Sequence, residues 1–425
     1  MEKIAEFVTH HITDDTTRLI LDKAKWPEID MEIAVNSIES RKKLKGKVPE
    51  WSENPSLVFP VKLSAEQCSS SATARYKATL AEHIAHETGN IRWTLADLTG
   101  GLGVDAWFFS KKASKVLYNE MQETLCNAAA HNFKVLGADN ITISNHAITP
   151  CSYKNPENRM EISPEELFTS FIPDIVYMDP ARRGEGGRKV FLIEDCTPDV
   201  LTLKDEIFGI CRNMLIKLSP MADITMVCSR LGKSCREVHV VATGGECKEL
   251  LIWMDREWDD EYSIIATEVR NDGSGEAFTF CPSQEKEAQA ETCAIIGEDG
   301  GYIFEPGKSL MKAGAFNLIS NRLNICKLGT STHYYIANEN SHVDDLRKYG
   351  KVFRILTAIS LDKRNMKSVA AEFPYAEVTA RNIPMDTDTL RKKLGTKSGD
   401  RYHIFGLRSD KEGPVLIVTE VIRES

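Results

Sequence analysis

Apolar residues recur along this chain with two periods, and the switch between them divides it. Over residues 1–90 the spacing is helical. Leu19, Ile20 and Ala24 follow a capping Asp14 or Asp15, and Ile29, Ile33, Ala34 and Ile38 follow Pro27. A loop with Pro49, Pro55 and Pro60 comes next, and Ser64 is expected to cap a helix reaching Ile84. From Trp93 the pattern changes to short apolar runs alternating with helix-spaced segments. The runs lie at 93–98, 115–118, 141–144, 175–178 and 213–218. Helices are expected over 104–110, over 122–136 with Gly137 closing it, over 164–171 and over 197–210. Such alternation reads as βαβ units and a parallel sheet. Segments 238–243 and 249–254 flank Gly244-Gly245 as a hairpin, and 262–269 adds a strand.

A polar break, EKEAQAE at 285–291, sets a boundary near 280. Beyond it, residues 302–306, a helix over 309–318 and an alternating strand over 333–336 make a small α+β unit. Strands at 351–360, 377–381, 402–407 and 414–421, with helices over 363–372 and 386–394, make a second. The expected division is 1–90 helical, 91–280 α/β, 281–340 small α+β and 341–425 α+β.

Composition narrows the class. With 425 residues and 42% hydrophobic content, the chain can bury more than one core. A net charge of -9 argues against a protein that coats nucleic acid. The charge is uneven, however: from Lys351 onward there are fourteen Lys or Arg against ten Asp or Glu. No apolar run approaches the roughly 18 residues of a membrane span. The start, MEKIAEFVTH, lacks the basic-then-apolar form of a secretory signal, so a cytoplasmic protein is expected. Eleven scattered cysteines without a C-x-x-C pair argue against zinc and against a disulfide framework, and most are expected to be buried hydrophobes. The basic run RKKLKGK at 41–47 is either a solvated helix end or a nucleic-acid contact.

The chemistry concentrates in ADLTGGLGVDAWFFSKKASKVLYNE, residues 96–120. An apolar run carries Asp97 near its end; Thr99, Gly100, Gly101 and Gly103 turn into a helix; a second run ends at Glu120. Glycines let backbone approach a ligand and turn sharply. An acid about 20 residues past the first glycine suits ribose hydroxyls. Nicotinamide and S-adenosylmethionine (SAM) enzymes share this plan. Asp97 ahead of the glycines, placed for a methionine ammonium, and a GGLG spacing unlike G-x-G-x-x-G favour SAM. An ordinary βαβ turn is the plainer alternative.

A second stretch, PDIVYMDPARRGEGG at 173–187, ends an apolar run in Asp179-Pro180. With both stretches, the chain resembles the class I SAM-dependent methyltransferases over residues 70–260. The resemblance implies a Rossmann-like, seven-stranded α/β sheet. It assigns Asp97, Thr99, Gly100, Gly101, Gly103 and Glu120 to the cofactor, and Asn145 and His146 to the neighbourhood of adenine. It assigns Asp179 and Pro180 to the reacting group, the carboxylate accepting a hydrogen bond from a target amine. Ala181-Arg182 replaces the usual proline and aromatic residue, which leaves Arg182 to stack on a base or hold a phosphate. Arg183, Arg188 and Lys189 in the following glycine-rich loop suit a phosphate backbone; a solvated loop is the alternative. Arg75 and Lys77, ahead of the first run, are weaker candidates beside a surface-charge reading. Carbon-5 pyrimidine methylation would need a cysteine nucleophile, and Cys151 and Cys196 lack a defining motif.

The order of segments, with YIFEPGKSLMKAGAF and the 381–401 stretch, is similar to a bacterial methyltransferase family with ferredoxin-like and THUMP-like tail domains. THUMP domains accompany RNA-modifying enzymes, so the resemblance implies a base of structured RNA, ribosomal or transfer, as substrate. Lys392 and Lys393 are then candidate RNA contacts, against an ordinary charged helix end. A protein or small-molecule methyltransferase, a non-catalytic RNA-binding protein and a Rossmann oxidoreductase are the competing readings. No metal or membrane partner is expected, and the pattern does not speak to oligomeric state.

Overall fold

The structure is a computed structural model that describes residues 1–155, 157–182, 192–297, 300–339 and 341–422. The chain forms two units. Unit 1 comprises Met1–Thr243, Lys248–Tyr262 and Val269–Gly275; unit 2 comprises Gly244–Cys247, Ser263–Glu268 and Glu276–Ser425.

Unit 1 is built on β1 (Thr94–Asp97), β2 (Lys115–Asn119), β3 (Ile141–Ser144), β4 (Ile175–Met178), β5 (Asn213–Leu218), β6 (Cys235–Thr243) and β7 (Glu246–Asp255, in unit 1 from Lys248). They line up as β3-β2-β1-β4-β5-β7-β6. The first five are parallel, and β7 runs antiparallel to β5. This is the Rossmann-like methyltransferase sheet that the resemblance implies. The central strands are largely apolar because both faces are covered: every residue of β4 is buried, and β5 carries a single ionisable group, Lys217. Strand order reverses at β1, which lies between β2 and β4. In open α/β sheets, ligands bind at the carboxyl ends of strands beside such a reversal.

The helices around this sheet follow their caps. Gly103, with φ of 90°, starts Val104–Ser110, and Asp199 accepts the amides of Leu201 and Thr202 to start Val200–Ile210. The helix expected from Ser64 to Ile84 is two helices, Lys62–Gln67 and Ser71–Glu87. Ser70, not Ser64, is the cap, its hydroxyl accepting the Thr73 amide. Asp15 caps Thr16–Leu21 and Asp30 caps Met31–Leu44, so Pro27 starts no helix. A first helix, Glu2–His11, was not foreseen; Ile4, Phe7 and Val8 join Leu19, Val35 and Ile38 in a small core. The basic run 41–47 is not simply solvated. Arg41 is buried, and its guanidinium donates to the carbonyls of Ser52, Asn54, Pro55 and Leu57, clamping the proline loop. That loop is also held to Glu123–Val135, where the Asn132 amide side chain pairs with both backbone groups of Val58 at 2.8 Å.

Unit 2 contains a seven-stranded sheet. From one edge its strands are Cys326–Lys327, Tyr335–Ala337, Tyr302–Pro306, Gly350–Ser360, Gly413–Val421, Tyr402–Ser409 and Glu377–Arg381. Only the last pair is parallel. Apolar clusters around Phe353, Phe405 and Ile417 and around Val378, Leu390 and Leu416 cover it. The helix expected over 309–318 breaks at Gly314, whose φ of 81° ends Lys308–Ala313 before Phe316–Leu323 begins.

All eleven cysteines are free thiols; Cys126, Cys196, Cys211, Cys228 and Cys235 are buried, fewer than expected, and Cys151 is exposed. No described helix is long and apolar enough to cross a membrane.

Candidate active site

The turn after β1 is shaped by close approach. A Cβ on Gly100 would fall 2.1 Å from the Tyr118 ring, and one on Gly103 would fall 2.7 Å from the Phe133 ring. Gly101 has φ of 52°. The Tyr118 hydroxyl donates to the Gly101 carbonyl at 2.6 Å, and the Gly100 amide donates to the Asn119 carbonyl at 2.7 Å. The end of β2 thus holds the turn by its backbone and by an aromatic ring.

Two carboxylates face this turn. Asp97 is buried, and its Oδ1 accepts the Thr99 amide at 3.0 Å. Burial pushes its carboxyl well above the usual range; the Thr99 amide opposes this, while Asp105, Asp179 and Glu120 push the same way. Glu120 accepts the Gly101 amide at 2.9 Å on one oxygen and the Gln122 amide at 2.8 Å on the other. Each oxygen keeps a second lone pair.

At the end of β4 the electrostatics differ. The Asp179 amide donates to the Thr99 hydroxyl at 2.6 Å, tying the two strand ends together. The last register pair of β4 and β5 is Met178 with Ile216, so the next step sets Asp179 level with Lys217. Lys217 Nζ lies 2.6 Å from Asp179 Oδ2. Beneath this pair is a charged layer. Fully buried Lys77 reaches Glu249 at 2.7 Å, Ser69 at 2.9 Å and Asp105 Oδ1 at 3.4 Å. Asp105 Oδ2 accepts the hydroxyls of Ser69 and Tyr177 at 2.8 and 2.9 Å. Burial would raise the Asp105 carboxyl, but Lys77 and Lys217 hold it below the usual range. Burial alone would depress the Lys217 ammonium; Asp179, Glu249 and Asp105 reverse this and raise it.

The expected residues fall as follows. Asp97, Thr99, Gly100, Gly101, Gly103, Glu120, Asp179 and Pro180 gather at the carboxyl ends of β1, β2 and β4. Asn145 and His146 follow β3 and tie the loop down. Asn145 Nδ2 donates to the Glu120 carbonyl at 2.7 Å, and the His146 amide donates to Asn119 Oδ1 at 3.2 Å. The backbone of Ala181–Arg182 pairs antiparallel with Cys196–Thr197. Arg183, Arg188 and Lys189 lie outside the described residues. Lys392 and Lys393 are exposed on the last turn of Thr387–Leu394 in unit 2. Lys77 is not the surface charge considered above but the centre of the buried layer. Among the described residues no group of His, Cys, Asp and Glu is placed to hold a metal.

Lys217, Asp105 and Glu249 were not singled out from sequence. One signal was available for Lys217: a lone charge in an otherwise uncharged strand, one residue from its end.

The chain is similar from end to end to a crystal structure titled "putative methyltransferase" from Porphyromonas gingivalis W83. The two share 27% identity and a TM-score of 0.82, over 99% of this chain and 98% of that one. Residues 302–342 match a ferredoxin-like domain family, and residues 350–421 match a THUMP domain-like family. An rRNA methylase from Streptococcus thermophilus aligns over 42% of this chain and 94% of its own, at 11% identity and TM-score 0.28. A Streptococcus mutans "putative methyltransferase" in complex with SAH covers 42% and 96%, at 12% identity and TM-score 0.27. No curated protein matches. The chain therefore has a methyltransferase fold carrying ferredoxin-like and THUMP-like segments, and the two distant likenesses add nothing to that.

Proposed function

We propose that the chain is a SAM-dependent methyltransferase acting on RNA. The observation that carries this reading is the gathering of Asp97, the glycine turn, Glu120 and Asp179 at the strand-order reversal. The donor set suits SAM. Asp97 is a buried carboxyl whose ionisation is disfavoured by burial and by neighbouring carboxylates. An arriving ammonium relieves that penalty. Glu120 has lone pairs for ribose hydroxyls beside an amide-lined turn whose close fit only glycine permits. When bound, SAM supplies a methyl group on an already electrophilic sulfonium. The protein's part is to align an acceptor with it and exclude water.

RNA as the substrate class is supported by the THUMP domain-like match over 350–421 and by the exposed Lys392 and Lys393 within it. Arg183, Arg188 and Lys189, outside the described residues, extend the same reading by sequence alone. The cytoplasm is the compartment in which this reading brings SAM and RNA together.

Calorimetric titration with SAM tests the cofactor half: the wild type is expected to bind, and Asp97→Ala and Glu120→Ala to lose binding. Transfer from labelled SAM to RNA, protein and small metabolites tests the substrate half. Label in protein or metabolites but not in RNA would replace RNA in this reading.

A further inference from the structure

We infer that the atom methylated is an oxygen, the 2′-hydroxyl of a ribose in RNA, held between Asp179 and Lys217. The inference rests on the methyl-transfer reading above and names its acceptor.

The geometry sets the argument. Asp179 stands at the open end of β4 with its side chain 37% exposed, whereas Lys217 beside it is 12% exposed. An acceptor arriving at Asp179 therefore meets a carboxylate whose Oδ2 is already engaged by an ammonium at 2.6 Å. That ammonium is fixed. Its strand is hydrogen-bonded on both sides, to β4 and to β7. The groups that act on it most strongly are Asp179, Glu249 and Asp105, and its charge also reaches Lys47. The carboxylates outweigh burial, and Lys77 locks Glu249 and Asp105 in place from behind.

The ammonium beside Asp179 selects the nucleophile. A neutral amine gains positive charge as it takes a methyl group, and a fixed ammonium beside it opposes that change. A hydroxyl must lose its proton as it attacks, so negative charge develops on its oxygen; the same ammonium stabilises it. Asp179 then serves as the proton acceptor and Lys217 as the oxygen's hydrogen-bond donor. The step balances. The hydroxyl oxygen forms a bond to the methyl carbon, and the methyl–sulfur bond breaks with its electron pair left on sulfur. The hydroxyl proton passes to the Asp179 carboxylate and from there to water. Within RNA, the hydroxyl on every nucleotide is the ribose 2′-OH, which DNA lacks.

The experiment starts with wild-type protein, labelled SAM and RNA from cells lacking this protein. The RNA is digested to nucleosides and the label located by mass spectrometry. Label on ribose is expected. Label on a base overturns the inference while leaving RNA methylation standing. No label in RNA overturns the proposed function and the inference with it. Lys217→Met is expected to lower kcat about 100-fold with SAM affinity unchanged, the usual loss when a transition-state donor is removed. Lys217→Arg, which keeps a cation, should recover part of it; no recovery, or no loss in Lys217→Met, counts against the role. Side-chain nitrogen NMR of Lys217 supplies a readout apart from turnover. Its ammonium should persist to higher pH in wild type than in Asp179→Asn. Identical titration in the two would overturn the pairing on which the inference depends.

Discussion

Asp97 and Asp179 occupy equivalent places, each at the carboxyl end of a parallel strand, and β1 and β4 are direct neighbours. Their surroundings are opposite. Asp97 is buried among carboxylates and pushed toward the neutral acid, its Oδ1 accepting the Thr99 backbone amide. Asp179 is partly open and paired with a lysine at 2.6 Å. The same side chain is thus made a receptor for an incoming cation in one place and a charged, oriented acceptor in the other. The lesson is that strand position brings a carboxylate to the site, and the neighbouring strands decide what it does there. For Asp179 the deciding neighbour is β5, which brings Lys217. For Asp97 they are β2, with Glu120 just beyond it, and β4, with Asp179.

This contrast can be broken from below. Lys77→Ala would leave Glu249 and Asp105 buried without their cation, which costs about 3–5 kcal/mol for a broken buried pair. Chemical denaturation should register it. Lys77→Met combined with Glu249→Leu should recover part of the loss, because one countercharge leaves with the cation while Asp105 keeps only Lys217.

Asp97→Asn should convert the contrast into a trade. SAM affinity is expected to fall about 100-fold, roughly 2.7 kcal/mol, while the melting temperature rises at neutral pH. The sign follows from the raised carboxyl. A folded-state pKa above the unfolded one stabilises the fold at low pH, and that contribution is lost as pH rises through the folded value. The variant's advantage should therefore grow as pH rises above the ordinary carboxylate range and shrink toward acid. A flat difference with pH would show that Asp97 ionises freely.

Gly100→Ala places a methyl group inside the Tyr118 ring and should cost about 1–3 kcal/mol through overpacking, with SAM binding lost as the turn shifts. Tyr118→Phe is the mildest probe. It removes the hydroxyl that holds the Gly101 carbonyl and should cost about 1 kcal/mol. Affinity should change little, since the ring that shapes the turn remains.

Much of the sheet was legible in the residues. β3, β4 and β5 match the expected runs to the residue, and for β4 and β5 the reason is that a strand covered on both faces must be largely apolar along its length. Element ends were less legible. Ser64 and Ser70 are both good caps in isolation, and only the packing of Ser71–Glu87 chose between them. The basic run at 41–47 misled for a related reason. Arg41 is buried because four carbonyls of a proline loop converge on it, and no local pattern announces that convergence.

The sequence alone determined what depends on neighbours along the chain: the βαβ alternation, the glycine turn that tolerates no side chain, and the acids a fixed number of residues from it. The tertiary structure decided which charges meet. Lys77, Asp105, Asp179, Lys217 and Glu249 are spread over more than 170 residues, and only the order β1-β4-β5-β7, with two helices packed against it, brings Lys77 to Asp105 and Glu249 and Lys217 to Asp179. Coulomb energy depends on distance in space and on exclusion of water, and the linear sequence encodes neither directly.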